Sequence, residues 1–282
     1  MYMYTLFKVC YLGTQYHGSQ RQPELHTIEG EILRALHSKG YIDDESYKKL
    51  QIHSAGRTDA GVHARGMAYG VYNPREVFYP IEVNTALPED IIIWSSGLSS
   101  LKKDTPTIHP RYQALQRQYK YFYVDSKQHL DSSLVSDVTK RLCGTHDFQN
   151  LSKYDENTNT IRTVDEINAT KAGTVWVFDF KARSFLWHQI RKMMRVILNI
   201  GLHHWPLETV DSLLDPENRE YSTKVEPVPP EGLILWDVLY PDSMKFQNCT
   251  KSIQRMDSLM DTWLEGIKLK QKILEEILHS FQ

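Results

Sequence analysis

Three observations predict an α+β fold. Short apolar or alternating runs of strand character are interspersed with segments whose apolar residues recur at helical spacing. Glycine and proline punctuate the joints between them. Hydrophobic residues make up 41% and charged residues 24% of the 282 positions, near the average for globular proteins, so a packed core is available.

In chain order, residues 3–12 are aromatic and branched with little charge, the pattern of a strand buried on both faces. Residues 13–23 form a polar loop marked by Gly13, Gly18 and Pro23. Thr27 caps a helix whose apolar face is Ile28, Ile32, Ala35 and Leu36, and Gly40 stops it. A polar segment with a short helix follows. Residues 50–53 and 67–72 read as strands on either side of a glycine-containing loop, 82–87 as a helical turn and 91–94 as an apolar strand. A polar junction with two prolines at 101–110 divides the chain into an N-terminal half (1–104), a C-terminal half (105–241) and a tail (242–282).

The second half begins with an acid-free stretch, 105–124, in which Arg111, Arg117 and Lys120 are interleaved with tyrosines. Strand alternation puts Arg117, Tyr119 and Tyr121 on one face. That face fits a sheet edge with solvated bases and buried rings, or an aromatic platform for nucleobases with cations for phosphate. Residues 132–142 read as a helix ended by Gly144, 157–163 as a loop, and 164–171 with 174–182 as a hairpin turning at Ala172-Gly173.

The clearest helical pattern spans 185–201. Leu186, Ile190, Met193, Met194, Ile197 and Leu198 form its core stripe. His188, Arg191, Lys192 and Arg195 share another face. No acid stands between Phe180 and Leu207, so that face is either solvated or a phosphate-binding row. A short helix at 208–214, a proline-rich loop at 225–230 and a strand at 233–240 follow. In the tail, Met256, Met260, Trp263, Ile267, Leu274, Ile277 and Phe281 keep 3/4 spacing. They predict an amphipathic helix that docks on the body or on a second subunit.

Composition narrows the chemistry. With 33 basic against 35 acidic residues the formal charge is −2, so a nucleic-acid partner requires locally concentrated basic groups. The three scattered cysteines make no metal or disulfide framework and fit a reducing, cytoplasmic setting. No apolar run has the length of a membrane span. The N-terminus lacks the basic-then-apolar pattern of a signal peptide. His203-His204 has no third ligand nearby in sequence, no Ser or Cys sits in a nucleophile elbow, and no glycine pattern matches a nucleotide-binding loop. Cofactor-free chemistry at a carboxylate is the class that survives.

The candidate carboxylate is Asp59, in the stretch AGRTDAGVHA at 55–64. Gly56 and Gly61 flank it and permit close backbone approach. Arg57 stands two residues before it and can favour its ionised form. On residues alone the ordinary reading is a polar turn between two strands.

That stretch resembles the catalytic loop of the TruA family of tRNA pseudouridine synthases, in an archaeal-type form with a C-terminal helical extension. Four further blocks resemble the family's in the same order: Gln20-Arg21-Gln22-Pro23 with Thr27, ALQRQYKY at 114–121, FLWHQIRKMM at 185–194 (the family pattern is FLxHQVRxM) and EGLILWDVLYP at 231–241. Two positions depart from it. Ser19 stands where the family has tryptophan, and Leu12 where it has aspartate.

The resemblance implies two RRM- or ferredoxin-like halves sharing a central, mostly antiparallel sheet, with a cleft between them. It implies a homodimer that isomerises uridine to pseudouridine at positions 38–40 of the tRNA anticodon stem-loop, without cofactor or metal. By the same resemblance Asp59 is the catalytic carboxylate and Arg57 pairs with it and holds the flipped-out nucleotide. Tyr119 stacks on the uracil and relays a proton, Arg191 pairs with Asp59 or with phosphate, and Leu233 forms an apolar wall. Arg21, His188, Lys192 and Arg195 are candidates for tRNA contact. The rival readings are a catalytically silent RNA-binding protein with RRM-like halves and a nucleoside hydrolase, which would usually need a second carboxylate.

Overall fold

The strand-like runs join edge to edge into one ten-stranded sheet in a computed structural model, which describes residues 3–48, 52–99, 109–153, 158–218 and 225–279. The first half contributes β1 (Met3–Tyr11), α1 (Ile28–Ser38), α2 (Asp44–Lys48), β2 (Ile52–Ser54), β3 (His63–Asn73), α3 (Pro80–Asn84) and β4 (Ile91–Ser99). Then come α4 (Pro110–Gln113), β5 (Gln116–Val124), α5 (Ser132–Leu142), β6 (Gly144–Asp147), β7 (Ile161–Ala172), β8 (Val175–Ala182), α6 (Gln189–Gly201), α7 (Thr209–Leu214) and β9 (Leu233–Leu239). The two-residue β10 (Gln247–Asn248) and the long α8 (Thr250–His279) close the chain.

The strand order is β10-β4-β1-β3-β9-β5-β8-β7-β6, with β2 pairing β3 off this path. Every pairing is antiparallel except one. β3 and β9 run parallel, with His63 opposite Ile234 and Ala64 opposite Leu235. This short seam joins a sheet built from the first half to a sheet built from the second. The expected α+β architecture with a mostly antiparallel sheet is observed.

Two apolar clusters flank the seam. Phe7, Ile32, Leu36 and Tyr69 centre the first, and Phe178, Met193, Met194 and Ile197 the second. Each such aliphatic or aromatic side chain contributes about 1.5–3 kcal/mol by leaving water. β1 is buried on both faces over nearly its whole length, as its composition predicts. Thr27 caps α1 by accepting the Gly30 N–H at 3.3 Å.

Several elements differ from their sequence patterns. β3 is far longer than 67–72, because its glycines make room for neighbours: a β-carbon at Gly70 would run into the Tyr4 phenol, and one at Gly66 into the Trp236–Asp237 backbone. Gly144 stops α5 as expected, at φ +104 just past the Cys143 cap, and also opens edge strand β6. The helix expected over 185–201 begins only at Gln189. His188 has φ +65, a left-handed conformation that a helix cannot continue through. The junction at 101–108 and Phe281 lie outside the described residues.

The tail helix docks on its own body through its first turns. Ser252 is fully buried and accepts a hydrogen bond from Asn84 at 3.0 Å. Met256, Met260 and Trp263 line a small cavity with Cys10, Leu12 and Ile92. Beyond Trp263 the stripe is exposed: Ile267, Leu274 and Ile277 face outward, as does Leu264 next to Trp263. Among the described residues no helix is long and apolar enough to cross a membrane.

Candidate active site

The loop at 55–62 hangs between β2 and β3, which pair through Ile52–Val71, His53–Gly70 and Ser54–Tyr69. It is anchored from both halves of the chain. From the first half, the Ser19 hydroxyl accepts the Thr58 N–H at 2.8 Å and the Ser19 N–H donates to the Thr58 carbonyl at 3.0 Å. Tyr11 and Thr58 share a hydroxyl hydrogen bond of 2.8 Å. Gly13 packs directly on the loop, and a β-carbon there would collide with the Val62 carbonyl. So Ser19, one of the two departures from the family pattern, is a fully buried clamp on the residue before Asp59.

From the second half comes Arg117. Its buried guanidinium donates to the carbonyls of Ala55 at 2.6 Å and Arg111 at 2.8 Å, and also to that of Arg183. Arg117 is therefore a strut between backbones rather than a free cation for phosphate. Gly61 takes φ +81, and Pro230 packs against it so closely that a β-carbon would sit 2.8 Å from Pro230 Cγ. Gly56 has no such need; its surroundings are open. His63 accepts the Gly13 N–H on Nδ1 at 3.0 Å and donates from Nε2 to the Glu231 carbonyl at 3.2 Å. Burial lowers its pKa, so it stays neutral.

The carboxylate held by this loop lies at the junction of the halves. Arg191 Nη1 donates to Asp59 Oδ2 at 2.8 Å, and the Trp187 indole N–H donates to Oδ1 at 2.9 Å. His188 Nε2 stands 3.5 Å from Oδ2. Burial lowers the His188 pKa; Asp59 pulls it up, but Arg191, Lys153 and Lys192 add to the depression. The imidazole is thus neutral, and Arg191 carries the charge that balances Asp59. Arg191 is itself fixed by donating from Nε to the Val228 carbonyl at 2.7 Å.

Tyr119 is half-buried and packs edge-on against Phe185 at 5.5 Å. Burial pushes its pKa up to about 12, with Arg117 opposing and Asp59 adding to the rise, so the hydroxyl keeps its proton at neutral pH. Leu233 is buried at the start of β9, in the same cluster as Val62, which ends the loop.

The pairing expected for Arg57 is not what the structure has. Arg57 is exposed, its charge is felt by the buried Glu29, and Arg191 stands beside Asp59 instead. The basic row is also broken up. His188 precedes α6, and Arg195 Nε donates to the Glu226 carbonyl at 3.2 Å. Lys192 is half-buried, and burial lowers its pKa. Arg21 lies in an exposed loop whose N–H donates to Glu29 at 2.9 Å.

The pattern reading missed Trp187, Ser19 and His63. The visible signals among them were a tryptophan in an acid-free stretch and the departure of Ser19 from the family pattern.

A sheet of two halves joined at a parallel seam, with the Asp59 carboxylate held at the junction by donors from the second half, is the setting. The comparisons place it. A family model described as tRNA pseudouridine synthase matches residues 138–241. The tRNA pseudouridine synthase A of Methanobrevibacter smithii is 35% identical over 99% of this chain and 97% of its own length. That of Archaeoglobus fulgidus is 36% identical over 84% of this chain and 83% of its own, and that of Methanothermobacter thermautotrophicus 33% over 90% and 87%. Among solved structures, a chain of a Cbf5-Nop10-Gar1 complex overlaps with a TM-score of 0.36 at 12% identity over 69% of this chain and 45% of that one, so the assignment rests on the sequence relatives.

The class is thereby defined: an RNA-modifying isomerase, a pseudouridine synthase. Within it, the chain belongs to the tRNA pseudouridine synthase A family. The alignment with the Methanobrevibacter relative takes in the C-terminal helix as well.

Proposed function

We propose that this enzyme isomerises uridine at positions 38–40 of the tRNA anticodon stem-loop, with Asp59 as the catalytic carboxylate. The observation that carries the assignment is the placement of Asp59 at the seam, with both its oxygens held by donors from the second half. The target nucleotide leaves its stack first, because its glycosidic bond is out of reach inside a helix. The reaction then breaks the N1–C1′ bond, turns the uracil and joins C5 to C1′. The proton lost from C5 is matched by one gained at N1, so atoms balance without a co-reactant. Asp59 serves as the nucleophile at ribose or base, or as the base that removes a ribose proton.

Tyr119, protonated and set against Phe185, stacks on the flipped uracil and relays a proton late in the reaction. Arg191 holds Asp59. Arg57, exposed in the same loop, holds the flipped-out nucleotide, and Leu233 closes the apolar side. Arg21, His188, Lys192 and Arg195 contact the tRNA. The family resemblance supports a cytoplasmic homodimer working without cofactor or metal.

The test is pseudouridine mapping on unmodified tRNA incubated with the pure protein. Asp59→Ala is expected to form no product while binding tRNA within a few-fold of the wild type. Product from that variant would overturn the assignment of Asp59, and product outside the anticodon stem-loop would overturn the choice of target.

A further inference from the structure

The residue at 187 occupies the position that the helix motif leaves open, FLxHQVRxM against Phe-Leu-Trp-His in this chain. Yet it makes one of the two closest contacts to the carboxylate. We infer that Trp187 is a positioning residue for Asp59, and that Lys153 sets the indole in place.

Four observations carry this. The indole Nε1–H donates to Asp59 Oδ1 at 2.9 Å, opposite the Arg191 bond to Oδ2 at 2.8 Å. A carboxylate held at one oxygen can still turn about its Cβ–Cγ bond, and a donor at each oxygen fixes its plane. The indole is 54% exposed, so its place is set by specific contacts rather than by core packing. Those contacts come from Lys153, whose ammonium lies 3.7 Å from the ring centroid and whose N–H donates to the Trp187 carbonyl at 2.8 Å. Finally, His188 turns left-handed at φ +65 immediately after Trp187, which sets the indole off from the axis of α6. A non-glycine residue is held there only where surrounding contacts over-determine it. The Gln189 side chain supplies one by accepting the Leu186 N–H at 2.8 Å.

A hydrogen bond to an ionised group is stronger than a neutral one, and misplacing a reacting group by a fraction of an ångström is costly in rate. Trp187→Phe keeps an aromatic ring near Lys153 and removes the N–H together with part of the indole. It is expected to lower kcat about tenfold and to leave KM for tRNA within twofold. Lys153→Met should give a smaller loss of the same kind. Because Lys153 acts through the indole, the double variant should be no slower than Trp187→Phe alone.

The inference rests on Asp59 being the catalytic carboxylate, so Asp59→Ala is assayed alongside. If Asp59→Ala is active, that underlying reading fails. If Asp59→Ala is dead while Trp187→Phe turns over at the wild-type rate, only the role of Trp187 fails. A raised KM with unchanged kcat would make Trp187 an RNA-contacting surface residue and would likewise overturn the inference, as would fully additive losses in the double variant for Lys153. Both side chains are exposed, so the variants are expected to fold, and thermal melts of each check it.

Discussion

Replacing Arg117 by methionine deletes the buried guanidinium that ties the Asp59 loop to the second half of the sheet. The carbonyls of Ala55, Arg111 and Arg183 lose a charged donor together. A hydrogen bond to a charged group is worth about 1.5–3 kcal/mol. The three do not add, because removing the guanidinium also removes the cost of burying its charge. Methionine retains much of the aliphatic packing. The net loss should be about 3 kcal/mol, a large part of a typical stability of about 5–15 kcal/mol. At roughly 2–4 °C per kcal/mol for a chain of this size, Tm should fall by about 6–12 °C. Activity should fall further than stability predicts, since Ala55 lies just upstream of Asp59 and a displacement near 1 Å costs on the order of 100-fold in rate. Denaturant titration and initial rates of pseudouridine formation, both well below Tm, measure the two effects. Arg117→Lys, which keeps a charge and one carbonyl contact, should recover part of each. A methionine variant with the wild-type unfolding midpoint and wild-type kcat would refute the strut.

His63 should make the fold acid-sensitive. Its folded pKa is lowered by burial from the ordinary 6.5, so the unfolded chain takes up the proton first as pH falls. Stability is therefore full above about pH 6.5 and drains away below it, until the folded pKa is reached. His63→Gln should flatten the loss of unfolding midpoint between about pH 7.5 and 5. Some slope will remain, because His53, His109 and His188 are shifted in the same direction. An unchanged slope would count against the neutral, doubly bonded imidazole. Gly13→Ala should be the more severe change, since its β-carbon would meet the Val62 backbone carbonyl. Loss of most activity is expected with tRNA binding retained; a fully active Gly13→Ala would show that the loop does not need that close approach.

Much of the architecture was legible because it is local. Burial of β1 on both faces, the Thr27 cap, the hairpin turn at Gly173 and the core stripe of α6 each depend on neighbours within a few residues. The Asp59 loop itself was legible as a short motif between two strands. Where local pattern misled, a long-range contact was responsible. β3 looked shorter than it is, because Gly66 answers to Trp236 and Asp237 across the seam, and the α6 helix looked longer because nothing in its periodicity reveals a left-handed His188.

Most of the company that Asp59 keeps was not legible in the residues themselves; its pairing with Arg191 was expected only from the family resemblance. Arg57 is its neighbour in sequence and Arg191 its partner in space, 132 positions away. The register of two residue pairs in the β3–β9 seam brings the halves together, and Arg117, Trp187 and Arg191 reach the loop across that junction. Periodicity and turn chemistry are written into contiguous residues, whereas the field and hydrogen bonds at a carboxylate depend on distances that only the closed chain sets. The sequence could name the acid; tertiary packing chose which cation and which indole would hold it.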